Sequence, residues 1–235
     1  FGNNLEIIYS YNISILRKEW CHIESELIST KKEIVQNKKL TVKSDIFKEI
    51  MSIYSLSIEE INKTIKEMEV KYKELNLIDH VKCRIKSPKS IVNKMKKKKY
   101  NLTYKEMINK VNDIAGIRII CPFQENVYTV RELLLENPNI RILNEKDYIQ
   151  FPKKSGYSSL HLIVEVPVKT DMGKIYVKAE IQIRTMAMDF WASLEHELKY
   201  KNNNVTKSAS KRLLKAAKVM KKLDYEMSVL AKEVR

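Results

Sequence analysis

Apolar positions along this chain change period twice. From about residue 5 to residue 76 they recur every three or four residues, the spacing of helices. The clearest run is Ile58, Ile61, Ile65, Met68, Tyr72 and Leu75. Ser57 and Glu60 stand at its head as a capping box, so the spacing predicts a helix beginning there with one apolar stripe. Such a stripe suits packing on a main domain, or a short coiled-coil seam. At His80 the period drops to two. Val81, Cys83 and Ile85 alternate with Lys82, Arg84 and Lys86, which predicts a half-buried strand with one basic face. Ser87 and Pro88 read as the N-cap and first residue of a helix that carries Ser90 and Lys94 on one face. The lysine run at 96–99 ends it.

Beyond that run a short helix over 104–112 leads to a buried strand from Asp113 to Cys121. A helix over 124–137 follows, with Val127, Val130 and Leu134 inward, then a short strand over 140–143 and a polar loop from Asn144 to Gly156. In the next strand, 157–167, Leu160, Leu162, Val164 and Val166 take one face and Ser159, His161 and Glu165 the other. Asp171, Met172 and Gly173 mark a turn. Ile175, Val177, Ala179, Ile181 and Ile183 then alternate with Lys178, Glu180, Gln182 and Arg184. A helix over 186–200 has Met188, Trp191, Leu194 and Leu198 inward, and a last basic helix runs to the end. Strands and helices intermix in one core, so the fold class is α+β.

Composition narrows the picture. The chain has 235 residues, enough for one sizeable core with helical extensions. Its formal charge of +15 suits polyanions: nucleic acid, phospholipid or phosphorylated small molecules. Cys21, Cys83 and Cys121 have neither disulfide nor zinc spacing. Cys83 and Cys121 fall in apolar alternations and read as buried thiols of a reducing, cytoplasmic protein. No apolar run is long enough for a membrane span. The start, Phe1-Gly2-Asn3-Asn4, reads as no signal peptide.

Three strands offer charged groups on one face: Arg84 and Lys86; Asp113 near Arg118; Glu180, Gln182 and Arg184. If these faces converge, the cations neutralise a triphosphate and the two carboxylates suit Mg²⁺, which needs only one or two of them beside phosphate oxygens and water. Positioning, charge neutralisation and a metal are what phosphoryl-type transfer requires. There is no P-loop and no kinase-type glycine loop, so side chains must hold any nucleotide. Singly, each piece has a plainer reading: a solvated sheet face, a surface ion pair, a structural histidine.

Together the pieces resemble a known family. Arg84, Lys86, Ser90 and Lys94 are similar to the R-x-K-x-x-x-S-x-x-x-K ATP motif of alarmone synthetases. Asp113, Gly116 and Arg118 resemble its D-x-x-G-x-R strand. Pro152, Lys153, Gly156, Tyr157, Ser159 and His161 resemble the guanine loop P-K-x-x-G-Y-x-S-x-H. Glu180, Gln182, Arg184 and Thr185 match E-x-Q-x-R-T, and Trp191 to Lys201 resembles the helix that follows. The resemblance spans residues 80–201.

It implies a nucleotidyltransferase-like mixed sheet of about five strands flanked by helices. It also implies a pyrophosphokinase that moves the pyrophosphoryl group of ATP to the 3′-hydroxyl of GTP, GDP or GMP. Arg84 and Arg118 would sandwich adenine, and Lys86, Ser90 and Lys94 would hold its phosphates. Asp113 and Glu180 would bind Mg²⁺, with Glu180 also the general base. Tyr157 would stack on guanine; Lys153 and His161 would meet the acceptor's 5′-phosphates; Gln182 and Arg184 would support the site. Asp189 is the candidate guanine hydrogen-bonding group. Ser158 stands where the family often has Arg or Lys, which puts one phosphate contact and the acceptor preference in question.

The implied organisation is a helical extension over 1–76, a catalytic core over 77–201 and a C-terminal helix over 202–235. The chain reads as a synthetase-only, homotetrameric member, with the 58–75 stripe and the C-terminal helix as assembly surfaces. Two other readings stand beside it. One is a toxic relative that pyrophosphorylates the 3′ end of tRNA, which the basic charge would suit. The other is a catalytically silent RNA-binding module, against which the two carboxylates argue.

Overall fold

Ser44 opens the first helix of the described residues, α1 (Asp45–Lys71), by accepting the Phe47 N–H at 3.2 Å through its side chain. Nothing in residues 45–56 breaks a helix, so α1 begins well before the expected capping box. Ser57 lies inside it, fully buried, and its hydroxyl donates back to the Tyr54 carbonyl at 2.7 Å. A mid-helix serine can be satisfied this way, which is why the box was a false start. The computed structural model describes residues 38–170, 173–201 and 206–234. The helix expected over 5–37, Cys21, and Asp171 and Met172 of the expected turn lie outside them.

Among the described residues five strands follow: β1 (His80–Ile85), β2 (Ala115–Cys121), β3 (Arg141–Asp147), β4 (Leu160–Thr170) and β5 (Gly173–Thr185). They form one mixed sheet in the order β1-β2-β5-β4-β3, with β2 and β5 parallel at its centre and the other pairs antiparallel. Between β1 and β2 lie α2 (Pro88–Lys97) and α3 (Tyr104–Lys110); α4 (Gln124–Leu135) links β2 to β3. After β5 come α5 (Met186–Lys201) and α6 (Lys207–Val234). The architecture is α+β, as expected.

One face of the sheet is the core. Ile117, Leu162, Val164, Ala179, Ile181 and Ile183 are all at most 1% exposed. On them sits the α1 stripe, with Ile61 and Ile65 at 0% and 1%. The stripe expected as an assembly surface is therefore spent inside the chain as far as Met68; Leu75 lies beyond α1 in a short 3₁₀ turn and is exposed. Helix α4 packs into the same core through Val127, Val130 and Leu134, and its Arg131 pairs with Glu145 of β3 at 2.8 Å.

Three further expectations change. β3 runs on to Asp147, because its register shifts between Ile142 and Asn144 and the bulge hides the alternation. Cys121 is buried, but Cys83 is exposed, its thiol 3.2 Å from Asn62 Oδ1 of α1. β1 is an edge strand, so alternation alone does not bury its apolar side. On α5, Trp191 is buried while Leu194 and Leu198 are about half exposed, at 47% and 48%.

Because α1 supplies one side of the core, Ile65→Ala should cost about 2–5 kcal/mol of unfolding free energy. Urea denaturation should show this with no change in oligomeric state by light scattering.

Candidate functional site

The opposite face of the sheet collects the chain's polar chemistry. Register places Lys82 beside Arg118, Arg118 beside Gln182, Gln182 beside His161 and His161 beside Lys146, one row across all five strands. The adjacent row reads Arg84, Gly116, Glu180. The three charged faces expected from alternation thus converge. Gly116 leaves open floor there, and the Arg84 side chain passes over it, its Cγ 3.6 Å from where a Cβ would stand.

Asp113 precedes β2 and gathers two ammonium groups: Lys86 at 3.1 Å on Oδ2 and Lys94 at 2.9 Å on Oδ1. Lys94 reaches it from the last turn of α2. The first turn of that helix is capped by Ser87, whose hydroxyl donates to Ser90 Oγ at 2.8 Å and accepts from the Ser90 N–H. Lys86 and Ser90 thus stand at one helix N-terminus, where unpaired backbone N–H groups favour anions, and the Lys94 ammonium meets Lys86 on Asp113.

Glu180 lies at the middle of the face. Its Oε1 is 3.3 Å from His161 Nδ1, and its Oε2 accepts from Gln182 Nε2 at 2.7 Å. Burial pushes the Glu180 carboxyl up, but the bond and charge of His161, the Gln182 amide and the Lys94 ammonium outweigh it and hold the carboxyl down to about 2. Lys94 therefore acts on both carboxylates. These oxygen donors fit Mg²⁺. Among the described residues no group of three or more His, Cys, Asp or Glu is placed to hold a metal ion.

Beyond Glu180 the cluster turns aromatic. The Tyr157 hydroxyl lies 2.8 Å from His161 Nε2 and accepts from Arg184 at 2.9 Å. Lys153 Nζ sits between two rings, 4.4 Å from the centre of Tyr148 and 4.5 Å from that of Tyr157. Burial there lowers the Lys153 pKa. Arg184 is 2% exposed, and burial lowers its pKa as well. The buried Nε atoms of Arg184 and Arg118 have no hydrogen-bond partner. Buried donors left over in this way are open to an incoming acceptor.

Asp189, one turn into α5, is a counter-ion hub. It is 7% exposed and meets Lys82 at 3.2 Å, Arg118 at 3.1 Å and Arg184 at 3.5 Å. Its carboxylate is thus engaged by three cations of the sheet. Ser158 alternates away from Tyr157 and lines a cleft against α6. Lys146 and Tyr148 belong to the polar cluster but were missed from the sequence. Strict alternation from Ile142 would put Lys146 on the core side; the bulge between Ile142 and Asn144 turns it to the polar face opposite His161.

The depressed Glu180 pKa has a testable sign. The folded value lies below the ordinary 4.5, so the linked stability is present above that pH and is lost as pH falls toward 2. Relative to Glu180→Gln, the native chain should lose on the order of 2 kcal/mol between about pH 5.5 and about pH 3, read by urea unfolding.

Residues 83–205 match the model of a region found in RelA and SpoT proteins. The GTP pyrophosphokinase YwaC of Bacillus subtilis is 45% identical over 198 residues, covering 83% of this chain and 94% of that protein. The crystal structure of small alarmone synthetase 2 from Bacillus subtilis superposes with a TM-score of 0.74 at 43% identity, over 80% of this chain and 98% of that one. Small alarmone synthetase 1 from the same organism, bound to its product pppGpp, superposes at 0.75 with 35% identity, over 82% and 100%. Similarity at this identity and coverage, in sequence and in fold, establishes that the chain belongs to the RelA/SpoT family, alongside the small alarmone synthetases.

Proposed function

We propose that this protein is a (p)ppGpp synthetase: it transfers the pyrophosphoryl group of ATP to the 3′-hydroxyl of GTP or GDP and releases AMP. The observation that carries this reading is the place of Lys94. Its ammonium pairs with Asp113 at 2.9 Å and acts at longer range on the Glu180 carboxyl, whose direct partners are His161 and Gln182. Anion-binding groups lie on both sides of that point. Lys86, Ser90, Arg84 and Arg118 form the ATP side; Lys153, Tyr157, His161, Gln182 and Arg184 form the acceptor side. The catalytic core is residues 77–201.

Glu180 accepts the proton of the 3′-hydroxyl as that oxygen attacks the β-phosphorus. The bond from the β-phosphorus to the oxygen bridging it to the α-phosphorus breaks, and AMP leaves with that oxygen. A carboxylate held near 2 is a weak base. Two of the groups that hold it down, His161 and Lys94, are also the groups placed to meet phosphates. Once they do, Glu180 loses the opposing charge of those two groups. Asp113 and Glu180 would hold Mg²⁺, which would supply charge neutralisation on the phosphate oxygens. Lys153 leaves the Tyr157 ring for the acceptor's 5′-phosphate, and guanine stacks on the ring face it vacates.

We place the reaction in the cytoplasm and the protein in a homotetramer. Among the described residues no helix is long and apolar enough to cross a membrane. The assembly reading is supported by two exposed stripes at helical spacing: Met186, Phe190, Leu194 and Leu198 on α5, and Val219, Leu223, Met227 and Leu230 on α6. Leu223→Glu with Leu230→Glu should dissociate the assembly in light scattering, and an unchanged mass would remove α6 from the interface.

Incubation with Mg²⁺ and γ-labelled ATP, with GTP, GDP, GMP and bulk tRNA in separate tubes, tests the activity. Label on GTP or GDP with release of AMP is expected. Label on tRNA alone would make this a tRNA-modifying enzyme, and RNA binding with no label anywhere would make it a silent binder. Glu180→Gln should lower kcat at least about 100-fold and spare ATP binding, the scale of losing a general base. Tyr157→Ala should raise the acceptor KM instead.

A further inference from the structure

Helix α6 has a second, inward face: Leu213, Leu214, Ala217, Met220, Asp224 and Ser228. A carboxylate lies within it. Asp224 is 6% exposed, and its Oδ2 accepts from the Thr185 hydroxyl at 2.9 Å. That hydroxyl also accepts the Met188 N–H at 3.2 Å, so it caps the start of α5. Thr185 is the chain neighbour of Arg184, which holds the Tyr157 hydroxyl. α6 thus grips the end of the strand that carries the acceptor-side residues.

The same face also backs the loop itself. Gly156 has φ +91° and lies so close to α6 that a Cβ on it would stand 2.5 Å from Ala217 Cβ and 3.3 Å from Leu214 Cδ1. The loop is tight: Gly156 donates to the Lys153 carbonyl at 2.8 Å, and Lys153 donates to the Tyr157 carbonyl at 3.1 Å. Lys153, Gly156 and Tyr157 therefore move together. Trp191 Nε1 donates to the Leu213 carbonyl at 3.2 Å and locks α5 to α6 beside the loop.

We propose that α6 is the back wall of the acceptor subsite, with Asp224 a positioning residue and Ala217 a spacer whose size sets where Lys153 and Tyr157 stand. The proposal rests on the synthetase reading for the identity of the acceptor. A guanine nucleotide bound by that loop feels α6 through Gly156 and Thr185, while ATP, held by α2 and β1 across the sheet, does not.

The test is steady-state kinetics on the full chain with ATP and GDP varied in turn, together with binding of a fluorescent GDP and a fluorescent ATP analogue. Ala217→Leu should raise the GDP KM and weaken the GDP analogue by about tenfold, the scale of overpacking by a few methylenes. The ATP KM should stay within about twofold, and kcat at saturating GDP should hold. Asp224→Ala should act in the same direction, and Asp224→Asn, which keeps an oxygen for Thr185, should recover most of the wild-type GDP KM. Equal changes for both nucleotides, a fall in kcat alone, or an Asn variant no better than Ala would overturn the proposal. Thermal unfolding identifies a variant that has lost its fold, and Ala217→Val, a smaller push, then replaces Ala217→Leu. A wild-type chain that makes no guanine product defeats the synthetase reading alone, because the binding ratio of the two analogues still judges the wall.

Discussion

Arg184 keeps a guanidinium at 2% exposure at the end of β5, and a charge stripped of water so far must be paired or it costs several kcal/mol. Its partners account for much of the site. Asp189 approaches from α5, which fixes the start of that helix against the sheet. Gln182 accepts from it at 2.5 Å and passes its own amide to Glu180. Tyr157 accepts at 2.9 Å, which draws the loop after Lys153 over the sheet. One buried cation therefore orients the central carboxylate, the aromatic platform and the helix that closes the site.

The polar face alternates in charge around that cation. Lys86 and Lys94 flank Asp113; Lys94 and His161 flank Glu180; Lys82, Arg118 and Arg184 surround Asp189. Cations outnumber carboxylates, so the surface is neutralised locally and still short of negative charge overall. That imbalance is suited to two polyphosphates meeting at one carboxylate. The site's bases and acids restrain one another: Glu180 is held ionised, and Lys153 stands between two rings.

The chain's own pattern determined a good deal. The period-two alternation of β1 and β5 placed Arg84, Lys86, Glu180, Gln182 and Arg184 on polar faces, because the pleat makes side assignment a local property. The order of the motifs also pointed to the family. Residues that act through distant partners were not legible. Lys82 and Asp189 are 107 positions apart, Thr185 and Asp224 39 apart, and no period links them. The bulge in β3 hid Lys146, and edge exposure overrode the apolar alternation at Cys83. Leu194 and Leu198 fit a core stripe on α5 but face outward, because Trp191 and the inward face of α6 decide which side of that helix is covered. Local periodicity reports what each strand or helix offers; which neighbour takes up the offer depends on long-range packing, and that is settled only when the elements meet.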